Sequence, residues 1–436
     1  MYAHASRRNW SSALVVACFI FVAGAGRAQT SRPFVMSSTA IQAYPNQTLL
    51  YQNESPSFTL NTLSSDADVV TLFPEYLGIP FVDFSQGATP PADDPWTIQM
   101  TALANAAKST GKPLMVELVL IRDFPVANAV NSNGSLQLQP GWAPTCLDFT
   151  NSQYAATGTE YINYATWIAN TFSPKYLVIM IENNLYYVHC GGNTASWQAL
   201  VNIERGAYDA VKKQFPAMLV FPSFKLEDLY DQSLTGFDQA EYGALAELKR
   251  DRLGIATYPF GVRLSNGFAN PYQLPPDYLT RVRDRNPSEP PIVITETGWN
   301  SASVAISYNS NCYSNLLYSD PSFENAYSQF LIYSGYVGGF DLIAWWSDRD
   351  LIDSSVMNVC PPQAAPPAFP ECKGDNWCIA INNARNAPGA GWSPSFAELA
   401  FKAFGSMGLR NYGGTPKSDA WNLWNRFLAL PVSGSP

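Results

Sequence analysis

The chain has 436 residues, 47% of them hydrophobic and 14% charged, with a formal net charge of −9. That composition excludes a disordered tail, and the acidic balance excludes a basic stripe for neutralising phosphates, so nucleic acid is not an expected partner. The length allows one barrel-sized domain or two ordinary ones.

Residues 1–28 read as an export signal. Arg7 and Arg8 precede an apolar run, Ala13 to Ala23, and small residues follow at Ala25 and Ala28. The run is too short for a membrane span. Val15-Val16-Ala17-Cys18 matches a lipoprotein cleavage pattern, but the apolar run continues past Cys18, which would place that cut inside the hydrophobic region. The expectation is therefore a secreted or periplasmic protein, monomeric and without stable membrane insertion, with residues 29–436 forming one domain.

Beyond the signal, short β-rich runs alternate with amphipathic stretches. Strands are predicted at Phe34–Ser38, Asp68–Phe73, Pro113–Leu120, Tyr176–Glu182, Leu219–Ser223, Leu253–Tyr258, Ile292–Glu296 and Phe340–Trp346. Helices are predicted at Trp96–Ser109, Glu160–Phe172, Ser196–Phe215, Gln239–Arg250, Asp277–Arg285, Phe323–Tyr336 and near Ser395–Phe404. Several strands are almost wholly apolar, as parallel strands buried on both faces are. The alternation favours a (β/α)8 TIM barrel over a doubly wound open sheet, because no glycine-rich first turn is present.

The signal carries one of the seven cysteines, Cys18; an even number in an exported remainder points to disulfides. The sequence does not choose among the pairings; the set expected is Cys146–Cys190, Cys312–Cys360 and Cys372–Cys378, tying loops on the C-terminal face of the barrel. Of two histidines, His4 lies in the signal, which leaves His189. A multi-histidine metal site is thereby excluded, and the cysteine spacings supply no zinc cluster. No G-x-S-x-G elbow, dinucleotide fingerprint or P-loop is present. No metal and no cofactor is expected, and the chemistry falls to carboxylates.

A barrel builds its active site at the C-terminal ends of its strands. Strand four runs into Glu182-Asn183-Asn184, strand six ends at Tyr258, strand seven at Glu296, and strand eight at Trp345-Trp346. Two glutamates facing one another across the mouth suit glycosidic bond cleavage: one protonates the leaving oxygen while the other attacks the anomeric carbon, at a separation of about 5 Å for retention. A Tyr258 hydroxyl bonded to Glu296 would keep that carboxylate ionised and oriented. Adjacent strand residues point oppositely, so only one of the two tryptophans can floor a sugar ring, and Trp346 is favoured.

The segment Thr295-Glu296-Thr297-Gly298-Trp299-Asn300-Ser301 resembles the nucleophile segment of the large retaining glycoside hydrolase clan built on (β/α)8 barrels. In appearance it is most like family 53, the arabinogalactan endo-β-1,4-galactanases. The likeness spans most of the chain as an architecture, but only the strand-seven motif is specific. It implies Glu296 as nucleophile and Glu182 as acid/base, acting on a β-linked polysaccharide of galactan or glucan type by double displacement. One departure stands out: the clan places Asn immediately before the acid/base Glu, whereas here Ile181 precedes Glu182 and two Asn follow it. Strand alternation puts Glu182 and Asn184 on one side. With Glu182 in the acid position, Asn183 or Asn184 would bond the sugar 2-hydroxyl. With Asn183-Asn184 in the place of the family's Asn-Glu, the acid has become an amide and the barrel binds glycans but cleaves them poorly. A transglycosylase on the same two glutamates is a further alternative.

Trp299, Tyr186 and His189 are further candidates for sugar contact, and Tyr187 and Trp142 lie in loops over the same face. Glu117, mid-strand, reads as a buried, paired group, and Glu182 itself has a structural alternative in a pair with Arg122.

Overall fold

A computed structural model describes residues 30–39, 56–74, 79–87, 89–120, 156–192, 194–230, 238–260, 268–308, 311–360 and 402–433, with short stretches at 129–130, 136–137, 146 and 148–151. Eight strand–helix units run along them. In chain order these are β1 (Val35–Thr39) and α1 (Pro56–Ser65), β2 (Val69–Leu72) and α2 (Pro95–Ser109), β3 (Leu114–Glu117) and α3 (Thr157–Phe172), then β4 (Tyr176–Val178) and α4 (Ala195–Gln214). The second half holds β5 in two pieces (Leu219–Phe221 and Ser223–Lys225) with α5 (Gln239–Leu245), β6 (Leu253–Thr257) with α6 (Arg281–Arg285), β7 (Ile292–Thr297) with α7 (Pro321–Gly338), and β8 (Leu342–Trp345) with α8 (Ser418–Leu428).

All the pairings in this sheet are parallel, and the strands follow one another around a nearly closed (β/α)8 barrel. Closure runs through the two pieces of β5: the first pairs with β4 and the second with β6. Pro222 separates them, since proline has no N–H for the ladder. Side chains alternate between two apolar regions. Val69, Met115, Tyr176, Val178, Phe221, Val293, Leu342 and Ala344 fill the barrel, while Ile292, Ile294, Ile343 and Trp345 face the helices.

Polar caps set where several helices begin. Asp94, Thr194, Asp238 and Asp320 each accept backbone N–H groups of the first turn of α2, α4, α5 and α7, each cap contributing about 1 kcal/mol.

The predicted strands all form, with shifted ends. Strand four stops at Val178 instead of Glu182. Two helices are shorter than their apolar patterns. The Arg250 guanidinium takes the carbonyls of Leu245 and Leu248 at 2.7 and 3.2 Å, which turns the chain at the end of α5. Residues 277–280 are turns before the short α6. Helices α1 and α8 were not predicted; α1 is rich in Ser and Thr, weak helix formers whose pattern carries little periodicity. Most of the helix predicted near Ser395–Phe404 lies outside the described residues.

Two disulfides, Cys146–Cys190 and Cys312–Cys360, join loops that leave the C-terminal ends of β3 and β4, and of β7 and β8. Cys372, Cys378 and the signal expected at 1–28 fall outside the described residues. Among those residues no helix is long and apolar enough to cross a membrane.

Candidate active site

Glu296 reaches the barrel mouth through an irregularity. Ile292, Val293 and Ile294 alternate out, in, out, so a regular strand would turn Glu296 outward towards the helices. The register between β7 and β6 shifts between Ile294 and Glu296: Ile294 pairs with Ile255, but Glu296 pairs with Ala256. Thr295 is the extra residue of this bulge, and bulges re-aim side chains in this way beside functional sites. Glu296 thus faces the mouth, 8% exposed, and Thr297 turns outward, its hydroxyl bonded to the Thr257 carbonyl and the Tyr327 hydroxyl of α7. Gly298 follows because a Cβ there would lie 2.8 Å from the Trp346 carbonyl oxygen.

Tyr258, one residue past β6, donates its hydroxyl to Glu296 Oε2 at 2.9 Å. Burial, then the charges of Glu296, Glu182 and Glu117, push its phenol well above the ordinary range, so it stays a protonated donor.

Glu182 is positioned by a turn and not by a strand. The chain past β4 still hangs between its neighbours: Ile181 N–H bonds Leu118 O at 3.0 Å, Glu182 N–H the Ser223 hydroxyl at 3.0 Å, and Asn183 N–H Ser223 O at 3.2 Å. Glu182 itself adopts the left-handed conformation, φ 45°, which costs a non-glycine residue about 1–2 kcal/mol. A helical turn, Asn184–His189, begins directly after it. The alternation assumed for strand four therefore does not extend through Glu182 and Asn184.

Asn184 is committed elsewhere. Its amide accepts from Lys225 N at 2.8 Å and donates to Lys225 O at 3.0 Å and to Glu241 at 2.8 Å, with the residue fully buried. It therefore serves as a tie between this turn and β5. Asn183 is 3% exposed, and neither amide atom has a hydrogen-bond partner among the described residues.

Trp346 stands over the mouth, edge-to-face with Phe73 at 5.2 Å and Phe404 at 6.3 Å, its indole N–H without a partner among the described residues. Trp345 points the other way, as the alternation requires; its indole N–H bonds Met407 O at 2.6 Å in the helical layer. Trp299 is likewise part of that packing, bonded to Ser319 at 3.2 Å and 1% exposed. Tyr186 is buried against Phe149, its hydroxyl on Ser196 at 2.5 Å. These three candidates are thus held by interior packing, each polar tip already satisfied. The His189 side chain lies outside the described residues, as do Trp142 and Arg122.

Two residues that sequence reasoning passed over sit at the end of β5. The carboxylates of Glu182, Asp228 and Glu227 raise the Lys225 ammonium above its usual value although burial opposes this. Glu227, on the helical turn Leu226–Leu229, accepts Tyr258 N–H at 2.9 Å. The cue available in the sequence was Lys225-Leu-Glu-Asp228, a charged cluster directly after an apolar run.

No protein-family model matches the sequence, and no curated protein is similar to it in sequence. Solved structures share its fold. An exo-β-1,4-mannosidase from Opitutaceae bacterium strain TAV5 superposes with a TM-score of 0.51 at 14% identity, over 91% of this chain and 59% of its own. A GH5_18 protein from Streptomyces cattleya, in complex with GlcNAc, gives 0.53 at 12% identity, over 94% of this chain and 82% of its own. A fungal β-1,4-galactanase structure gives 0.46 at 12% identity, a score that carries no argument. At these identities the likeness establishes the fold, a (β/α)8 barrel of the kind these glycosidases use, and singles out no family within it.

Proposed function

We propose that the protein is an exported retaining glycoside hydrolase acting on a β-linked glycan. Glu296 attacks the anomeric carbon, and Glu182 protonates the leaving oxygen and then activates the water that releases the sugar with retained configuration. Tyr258 keeps Glu296 ionised and aimed, Trp346 floors the sugar ring, and the bare amide of Asn183 is the group available to a sugar hydroxyl. The observation that carries this reading is the pairing of Glu296, turned into the mouth by a bulge, with a Tyr258 hydroxyl at 2.9 Å whose phenol also feels Glu182. The reading requires no cofactor.

A direct test uses activated 2-deoxy-2-fluoro β-glycosides of galactose, glucose and mannose, which trap a glycosyl-enzyme. Mass mapping should find the adduct on Glu296, and the natural polysaccharide of the same sugar should be cleaved with retention. An adduct elsewhere, or none with any sugar, counts against the assignment.

A second reading has its own observation. Glu182 heads the carboxylates that raise the Lys225 ammonium, and on this reading that cation keeps Glu182 from serving as the acid a poor leaving group needs. On that reading dinitrophenyl glycosides are hydrolysed and polysaccharides are only bound. The two substrate types separate the readings.

A further inference from the structure

We propose that Glu227 is a positioning residue that sets the Tyr258 hydroxyl on Glu296. The inference rests on the hydrolase reading above. Glu227 lies one strand away from Tyr258, past the end of β5, and its Oε1 gathers donors from the end of β6 and the segment beyond. The Thr257 hydroxyl donates to it, the Tyr258 backbone N–H at 2.9 Å, and the Tyr278 hydroxyl at 2.8 Å. Tyr258 therefore has its main chain on one carboxylate and its side chain on another, Glu296.

The arrangement is costly for stability alone. Glu227 is buried, its Oε2 has no hydrogen-bond partner among the described residues, and burial raises its pKa against the donors and Lys225. A Gln or an apolar residue would avoid that desolvation. What the single oxygen does is fix residues 257 and 258 where the strand ladder stops. Thr257 pairs with Thr297, and its carbonyl also receives the Thr297 hydroxyl at 2.8 Å, so the anchored end of β6 is registered directly on the strand that carries Glu296. Holding the backbone of Tyr258 holds the phenol against the bulged glutamate, where a shift of about 1 Å is enough to lose a large part of the rate.

The test is a double-mutant cycle on an aryl β-glycoside with Glu227→Ala, Tyr258→Phe and the double variant, reading kcat/KM against pH. Glu227→Ala is expected to lower kcat/KM about tenfold and to move the acid limb upward, as Tyr258→Phe does, because both weaken the bond that holds Glu296 ionised. In the Tyr258→Phe background the same alanine should change kcat/KM by less than about twofold, since Glu227 acts through that hydroxyl. Additive losses, or a rate loss with an unmoved acid limb, would show a structural role only and overturn the proposal. Should the alanine variant not fold, Glu227→Asp carries the cycle: it keeps the charge and withdraws the oxygen by one methylene. If the wild type turns over no glycoside, the hydrolase reading fails. The crystal structure of the Glu227 variant then decides this one: a Tyr258 hydroxyl displaced from Glu296 supports it, and an unmoved hydroxyl overturns it.

Discussion

Folding stability should fall as pH rises from about 5 to 8, and Glu204 is the residue on which to test it. Glu204 lies on the inner face of α4, fully buried, with Oε2 accepting the Lys249 N–H at 3.1 Å and Oε1 without a partner among the described residues. Burial pushes its carboxyl from 4.5 up to about 8, against the Lys249 N–H and the charges of Arg205, Arg250 and Lys249. Between those two values the folded state holds a proton that the unfolded chain has released. The contribution is fully present below 4.5 and is lost as pH climbs through 8. Each pH unit of that window is worth about 1.4 kcal/mol, so the whole is on the order of 5 kcal/mol as an upper bound. Glu324 and Asp348 at about 8, and Asp350 at about 6, are raised by burial and act in the same direction. Asp251, Asp277 and Asp320 are lowered from 3.8 and stay ionised throughout, so they do not oppose it. Urea midpoints of wild type and Glu204→Gln at half-unit steps from pH 5 to 8.5 make the measurement. The glutamine should flatten the slope and equal or exceed wild type at pH 8. Parallel curves would mean that Glu204 is ionised in the fold and that the argument is wrong.

Glu182→Asn should reduce polysaccharide cleavage by about 10²–10⁴-fold without lowering the thermal midpoint, because Asn tolerates the left-handed backbone that Glu182 occupies at φ 45°. Lys417→Met leaves Asp350, paired with it at 2.7 Å and ionised at neutral pH, without its cation, while Glu324 at 3.0 Å is already protonated there; a loss of about 3–5 kcal/mol is expected at neutral pH, shrinking at pH 5 where Asp350 protonates too, and denaturant titration reads it. Replacing Cys312 and Cys360 by Ser opens a link spanning 48 residues and should cost about 2–4 kcal/mol in the same assay, with turnover at 25 °C largely kept because neither cysteine is one of the proposed site residues. Trp346→Ala should raise KM for oligosaccharides about tenfold or more and leave binding to an indifferent protein surface unchanged, as calorimetry with both would show.

The barrel was legible because its signal is repetitive. Eight apolar runs of strand length, alternating with amphipathic helices, leave few architectures, and Ala344-Trp345-Trp346 shows period-two logic working through to an atom-level outcome. The strand-seven segment stood out for a different reason: its Thr-Glu-Thr-Gly-Trp context is specific. What stayed hidden was local. Asn184 reads as a ligand for sugar and is instead consumed by β5, and nothing in Asn183-Asn184 says which of two amides meets a neighbouring backbone. Trp299 sits inside the specific motif yet serves the helical layer, because the residue after a glycine turn takes its direction from the turn and not from the strand. Glu227 carries no motif at all; the bonds behind its proposed role exist only where β5 and β6 meet.

Both proposed catalytic glutamates stand where regular geometry fails. Along β7, alternation alone would bury Glu296 among the helices with Ile292 and Ile294, and the extra residue Thr295 reverses it. Past β4, a left-handed residue turns the chain so that Glu182 leaves the ladder while its backbone still bonds Ser223. Each irregularity is held by polar ties to a neighbouring strand end: Thr297 to Thr257 on one side, Asn184 to Lys225 on the other. A bulge and a left-handed residue both weaken the ladder, and a barrel under selection for stability alone would lose them. Their presence at the ends of β4 and β7, the two strands that carry the proposed glutamates, with Tyr258 bonded to Glu296 at 2.9 Å, is the strongest physical reason to read this end of the barrel as a site for chemistry.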